Sequence, residues 1–135
     1  MTDRELIVKK LAVVETAVQQ LRTIARPEIL ADDIREQRFV EHTLQIAIQA
    51  ALDAASHIVS DRRLGEPASN REMFDLLCRD GWIDDNLRRA LSALAGFRNI
   101  LVHGYAEVDV EIVRDVVEHR LDDLLHYVES LRSRL

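Results

Sequence analysis

A chain of 135 residues holds enough side chains for one buried core and too few for two, so residues 1–135 are read as a single domain. Its 47% hydrophobic content, with only 4 glycines and 2 prolines, points to an all-α protein, and no period-two run is long enough to argue for a sheet. A net charge of −6 argues against a broad, non-specific nucleic-acid binder, whose affinity comes from neutralising many phosphates; any RNA contact must be local.

The N-terminus Met1-Thr2-Asp3-Arg4-Glu5 lacks the layout of a signal peptide, and the single Cys78 excludes an intrachain disulfide. No apolar run approaches the roughly 20 residues of a membrane span, so the expected location is cytoplasmic, with no membrane contact. The first helix is predicted to start at Thr2, where Thr2-x-x-Glu5 forms a capping box, and to bury Leu6, Val13, Val14, Val18 and Leu21. It ends before Pro27, which pushes its predecessor out of helical geometry, leaving Thr23 to Asp32 as a connection.

Asp33-x-x-Glu36 repeats the capping box and opens the longest helix, to about Ser60. Leu44, Ile48, Ala51, Leu52, Ala55 and Val59 form its apolar face, and the alanines at 47, 50, 51, 54 and 55 allow close packing. Its polar inserts are His42, Gln45, Gln49, Asp53 and His57; the last two are spaced to pair on one face, more as a structural contact than as a site. A loop spans Asp61 to Ala68. Ser69-x-x-Glu72 then caps a short helix, stopped at Gly81, with Trp82 and Ile83 folding back on it. Cys78 falls on its apolar side and reads as a buried spectator.

Asp84 or Asp85 caps the next helix, and Gly104 marks its end, with a tight exit over residues 104 to 108. Asp109 caps a final helix with a buried stripe of Val113, Val116, Val117, Leu121, Leu124, Val128 and Leu131. His119, Asp123 and His126 lie outside that stripe. Their spacing permits a metal on paper, but an exposed polar face is the better reading, and no metal or cofactor is assigned.

The chemistry concentrates in Phe97-Arg98-Asn99-Ile100-Leu101-Val102-His103-Gly104-Tyr105. At about 100° per residue, Arg98 falls among Leu87, Leu91, Leu94 and Leu101 on the core-facing stripe. Asn99 and His103 share another face, continued back through Gly96 and Ser92 to Arg88 and Arg89. Gly96 there allows another helix, of this chain or of a second copy, to come close to the histidine. Arg98 and His103 diverge by about 140° on a regular helix. They converge if the last turn unwinds, or if a symmetric dimer pools two sets in one groove, and a combination is expected.

Packing alone accounts for each residue singly: an ion pair for Arg98, a helix cap for His103, simple contact for Tyr105. Together they suit phosphodiester cleavage. An arginine fork binds non-bridging phosphate oxygens, and a histidine exchanges a proton near neutral pH. RNA brings its own 2′-hydroxyl nucleophile, so neither a metal nor an enzymic nucleophile is required.

The string Gly96 to Tyr105 and the order of helices resemble the HEPN superfamily, and within it the HepT toxins of HepT/MntA toxin–antitoxin pairs. Leu44-Gln45-Ile46-Ala47-Ile48-Gln49-Ala50-Ala51-Leu52-Asp53 and Arg71-Glu72-Met73-Phe74 agree, and the likeness covers nearly the whole chain. It implies an up-and-down bundle of four to five helices, acting as a homodimeric, metal-independent endoribonuclease. Arg98 and His103 of both chains would be catalytic, and Asn99 would orient the site. It further implies a nucleotidyltransferase antitoxin, MntA-like, that neutralises the toxin by transferring AMP to the motif tyrosine, here Tyr105. The alternative is a non-catalytic subunit that only binds such a nucleotidyltransferase. A third reading is a structural bundle in which Arg98 pairs with a buried acid.

Overall fold

The computed structural model describes residues 3–103 and 108–135, and these form six α-helices and one short 3-10 helix, with no strand among them. Helix α1 spans Asp3–Thr23, the 3-10 helix Pro27–Ile29, α2 Ile34–Asp61, α3 Asn70–Arg79, α4 Asp85–His103, α5 Val110–His119 and α6 Leu121–Arg132. The expected start at Thr2, the glycine stop at Gly104 and Tyr105 lie outside the described residues.

Helix boundaries follow local chemistry. Asp33 accepts from the Arg35 and Glu36 amides at 2.8 and 3.2 Å, satisfying two of the orphan donors of α2. Glu36 does not reach back to its own cap but takes the Arg26 amide at 2.9 Å, tying the connection to the helix it precedes. Ser69 accepts from the Glu72 amide at 3.2 Å, and Asp84 from the Leu87 amide at 2.8 Å. Helix α3 ends in a Schellman motif: the Gly81 amide bonds Cys78 O at 3.0 Å and the Trp82 amide bonds Leu77 O at 2.9 Å. Gly81 takes φ +82°, the left-handed geometry that glycine adopts without a Cβ clash. Cys78 is half-buried against the core and unpaired.

Helix α2 is the axis of the bundle. Ala47, Ala50, Ala51, Ala54 and Ala55 are all buried, so α1, α3, α4 and α6 approach it closely. Tyr127 of α6 is fully buried; its hydroxyl donates to Ala51 O at 2.7 Å and its ring meets Phe74 edge-on, centroids 5.9 Å apart. Arg132 forks onto Glu15 of α1 at 2.6 and 2.8 Å, closing α6 against the first helix.

Three local expectations change. The final apolar stripe is buried as expected from Val113 to Leu131, but the helix carrying it divides at Arg120, where φ and ψ are −115° and −3°. The bend lets α5 pack on the 3-10 helix and α2 while α6 packs on α1 and α4. It also scatters the trio outside the stripe: His119 Nδ1 meets Asp115 at 3.1 Å, whereas Asp123 and His126 line a depression with Asp84. In α1 the buried stripe is Ile7, Leu11, Val14, Ala17, Val18 and Leu21, leaving Val13 exposed. Finally, Asp53 does not pair with His57. Lys10 Nζ lies 3.1 Å from its carboxylate and Gln49 donates to it at 2.8 Å.

Candidate ribonuclease site

Helix α4 delivers the motif residues. Leu91, Leu94, Phe97 and Leu101 are buried, and Arg98 sits half-buried on that same core-facing stripe. Its side chain lines a cavity together with Ala50 of α2. Among the described residues Arg98 has no ion pair; its one hydrogen bond runs from Nη1 to Asn99 Oδ1 at a long 3.4 Å. Asp53 faces the same cavity, yet its charge is already met by Lys10. The arginine therefore presents an unspent cation to an open space of about 330 Å³ lined also by Val13, His42, Gln45 and Gln49.

His103 is the last described residue of α4 and is exposed. The helix stays regular through it, so the expected unwinding of the last turn does not occur among the described residues. Arg98 and His103 consequently stay about 140° apart around one helix, and His103 does not line the cavity of Arg98. Asn99 is exposed beside Arg98. The face expected to admit a second helix does so within the chain, at α3: a Cβ on Gly96 would lie 3.5 Å from Arg71 Nη2, and Arg88 bonds Asp75 at 3.2 Å. Arg88 is also held by Asp85, whose carboxylate its guanidinium and that of Arg89 keep below the usual range. The arginine pair at 88 and 89 is thus engaged, unlike Arg98.

What the sequence did not connect to the motif is the outer face of α2. His42, Gln45, Gln49 and Asp53 were visible as polar inserts, but only the packing of α4 on α2 brings Arg98 over them. A second cavity, about 590 Å³, continues from His42 and Gln45 past Gln37, Arg38 and Glu41 to Ile34 and Val108. Burial pushes the Glu41 carboxyl above its ordinary range, against the opposing pull of Arg38.

A bundle of helices packed around α2 is the fold of known HEPN toxins. The chain superposes with a TM-score of 0.89 on the tri-AMPylated HEPN toxin of Shewanella oneidensis, in complex with MNT antitoxin, at 30% identity over 98% of this chain and 99% of that one. It is 30% identical to the mRNA nuclease HepT of Shewanella oneidensis over 96% of this chain and 98% of that protein. It is 31% identical to the tRNA nuclease HepT of Aphanizomenon flos-aquae over 74% and 68% of the two. A family model described as ribonuclease HepT-like matches residues 14–131. The chain belongs to the HepT-like ribonuclease family.

Proposed function

We propose that the protein is the toxin of a HEPN/nucleotidyltransferase toxin–antitoxin pair, a single-domain cytoplasmic endoribonuclease. The observation that carries this reading is Arg98: a cation on an apolar stripe, without an acidic partner among the described residues, opening into a cavity. A folded domain places a charge there at a cost, and a bound phosphate offsets it.

Arg98 holds the non-bridging oxygens of the scissile phosphate and stabilises the charge that develops on them. His103 accepts the proton of the 2′-hydroxyl; O2′ attacks phosphorus, the P–O5′ bond breaks and the His103 imidazolium returns its proton to O5′. The products are a 2′,3′-cyclic phosphate and a 5′-hydroxyl. Because Arg98 and His103 point apart on a regular helix, a homodimer that pools two sets in one cleft supplies the convergence. Asn99, within reach of the Arg98 guanidinium, orients it.

The Shewanella oneidensis relative is tri-AMPylated and bound to MNT antitoxin. By analogy, the cognate antitoxin of this chain is an MntA-like nucleotidyltransferase that transfers AMP to Tyr105, two residues beyond His103. Added negative charge at that point repels RNA from the cleft. The two similar nucleases act on mRNA and on tRNA, so RNA is the substrate class.

The test uses wild-type protein and folded His103→Ala, in excess EDTA, after mass spectrometry confirms that Tyr105 is unmodified. Cleavage of a labelled structured RNA by wild type alone is expected. Equal cleavage by both removes His103 from the reaction, and cleavage by neither across several RNAs leaves a non-catalytic partner of the nucleotidyltransferase.

A further inference from the structure

The reaction above gives no role to the row of side chains that shares the cavity with Arg98. His42, Gln45, Gln49 and Asp53 stand at successive turns along one face of α2. The inner cavity, about 330 Å³, is near the lower end of the range for small-ligand sites. Val13, Ile46 and Ala50 give it apolar wall, Arg98 its cationic edge, and Gln45, Gln49 and His42 its hydrogen-bonding groups.

The orientation of one of those groups is fixed. Lys10 Nζ lies 3.1 Å from Asp53 Oδ2, and Asp53 Oδ1 takes Gln49 Nε2 at 2.8 Å. A carboxylate only accepts, so the Gln49 amide must turn its nitrogen to Asp53 and keep its carbonyl oxygen as the free acceptor. Gln45 has no hydrogen-bond partner among the described residues, so its donor and acceptor are both open. An aliphatic wall, a fixed acceptor and a free amide beside a phosphate-binding arginine offer a splayed base of single-stranded RNA both apolar contact and hydrogen bonds to its edge.

We infer that the cavity between α1, α2 and α4 is a nucleobase subsite that selects a base whose Watson–Crick edge sets an exocyclic amine beside an acceptor ring nitrogen, adenine or cytosine, on a nucleotide adjoining the cleaved phosphodiester. The amine donates to Gln49 Oε1, and Gln45 bonds the neighbouring ring nitrogen. Uracil and guanine carry the reverse pattern on that edge, a carbonyl oxygen beside a ring N–H, which sets acceptor against acceptor and donor against donor, and are disfavoured. The inference rests on the ribonuclease reading for the position of the phosphate.

The experiment uses full-length protein and sixteen DNA oligonucleotides, each with one ribonucleotide, covering every pairing of that nucleotide with its 3′ neighbour. Only the ribonucleotide carries a 2′-hydroxyl, so the cut position is known. Rates at least about tenfold higher are expected when A or C occupies one of the two positions, the same one throughout, whatever the base at the other, the scale of a base-specific amide contact. Gln49→Leu should compress that preference, and Asp53→Asn should compress it independently, because an asparagine lets the Gln49 amide turn over. Circular dichroism confirms that both variants fold.

Uniform rates across the sixteen overturn the subsite while leaving the nuclease intact. If wild type cuts none, the ribonuclease reading fails, and fluorescence anisotropy of the same oligonucleotides still decides the subsite: tighter binding of A or C sequences supports it, equal binding overturns it. A Gln49→Leu protein that changes oligomeric state in sedimentation but keeps the wild-type base preference overturns it too, since a second copy would then cover the cavity.

Discussion

Replacing Arg98 by methionine separates a functional charge from a structural one. Were Arg98 half of a buried ion pair, its removal would strand an acid and cost about 3–5 kcal/mol. The structure gives it no acid among the described residues, only a long 3.4 Å bond to Asn99, worth about 0.5 kcal/mol at most for so poor a geometry. Methionine has similar helix propensity and keeps an unbranched stem between Leu94 and Leu101. It also removes a cation from an apolar stripe, so the two small terms oppose one another. The net change in stability should stay within about 1 kcal/mol, a shift of roughly 2–6 °C in Tm for a domain of this size. Cleavage should fall about 10²–10³-fold, as when one donor to a developing oxyanion is removed. Paired thermal melts and single-turnover RNA cleavage give both numbers. A Tm loss of more than about 10 °C, or cleavage near the wild-type rate, refutes the reasoning.

Other outcomes follow from the same geometry. Tyr127→Phe removes the hydroxyl bonded to Ala51 O and should cost about 0.5–1.5 kcal/mol in urea unfolding, leaving cleavage unchanged. Gly81→Ala forces a Cβ into φ +82° and should cost about 1–2 kcal/mol; the nearby Arg134 guanidinium, 3.3 Å from that Cβ, is flexible enough to yield, so strain and not collision sets the loss. Glu41 is held above its ordinary carboxyl range by burial, so the fold favours its protonated form; this contribution is full below the ordinary value and disappears as pH rises through the raised one. Glu41→Gln, neutral throughout, should therefore gain stability over wild type at pH 7 and gain nothing at pH 4, measured by melts at both.

Local signals carried most of the fold. Asp33, Ser69 and Gly81 mark helix ends because the partners they satisfy are three or fewer residues away, and the stripe from Val113 to Leu131 is legible because burial repeats with the helix. The division at Arg120 was not legible, since no proline or glycine marks it and its cause is the separate packing of α5 and α6. Val13 reads as core by spacing, but the space beside it is the Arg98 cavity. Asp53 and His57 fit a helical pair; Lys10, 43 positions away in the chain, takes the carboxylate instead. Within the motif, Arg98 stood out because a charge on a leucine stripe is anomalous in one dimension. Its neighbours on α2 are anomalous only once two helices are docked.

Trp82 is the one tryptophan, 2% exposed, and it joins three distant parts of the chain. Its indole lies under the guanidiniums of Arg134 at 4.4 Å and Arg62 at 5.6 Å, its ring nitrogen donates to Asp80, and its carbonyl accepts from Ser130. The end of α2, the stop of α3 and the last turns of α6 thus converge on a single fluorophore. Intrinsic emission should shift to the red when any of the three undocks, even with helicity intact, whereas RNA entering beside Arg98 leaves it unmoved. The protein carries its own optical reporter of bundle closure, separate from its site.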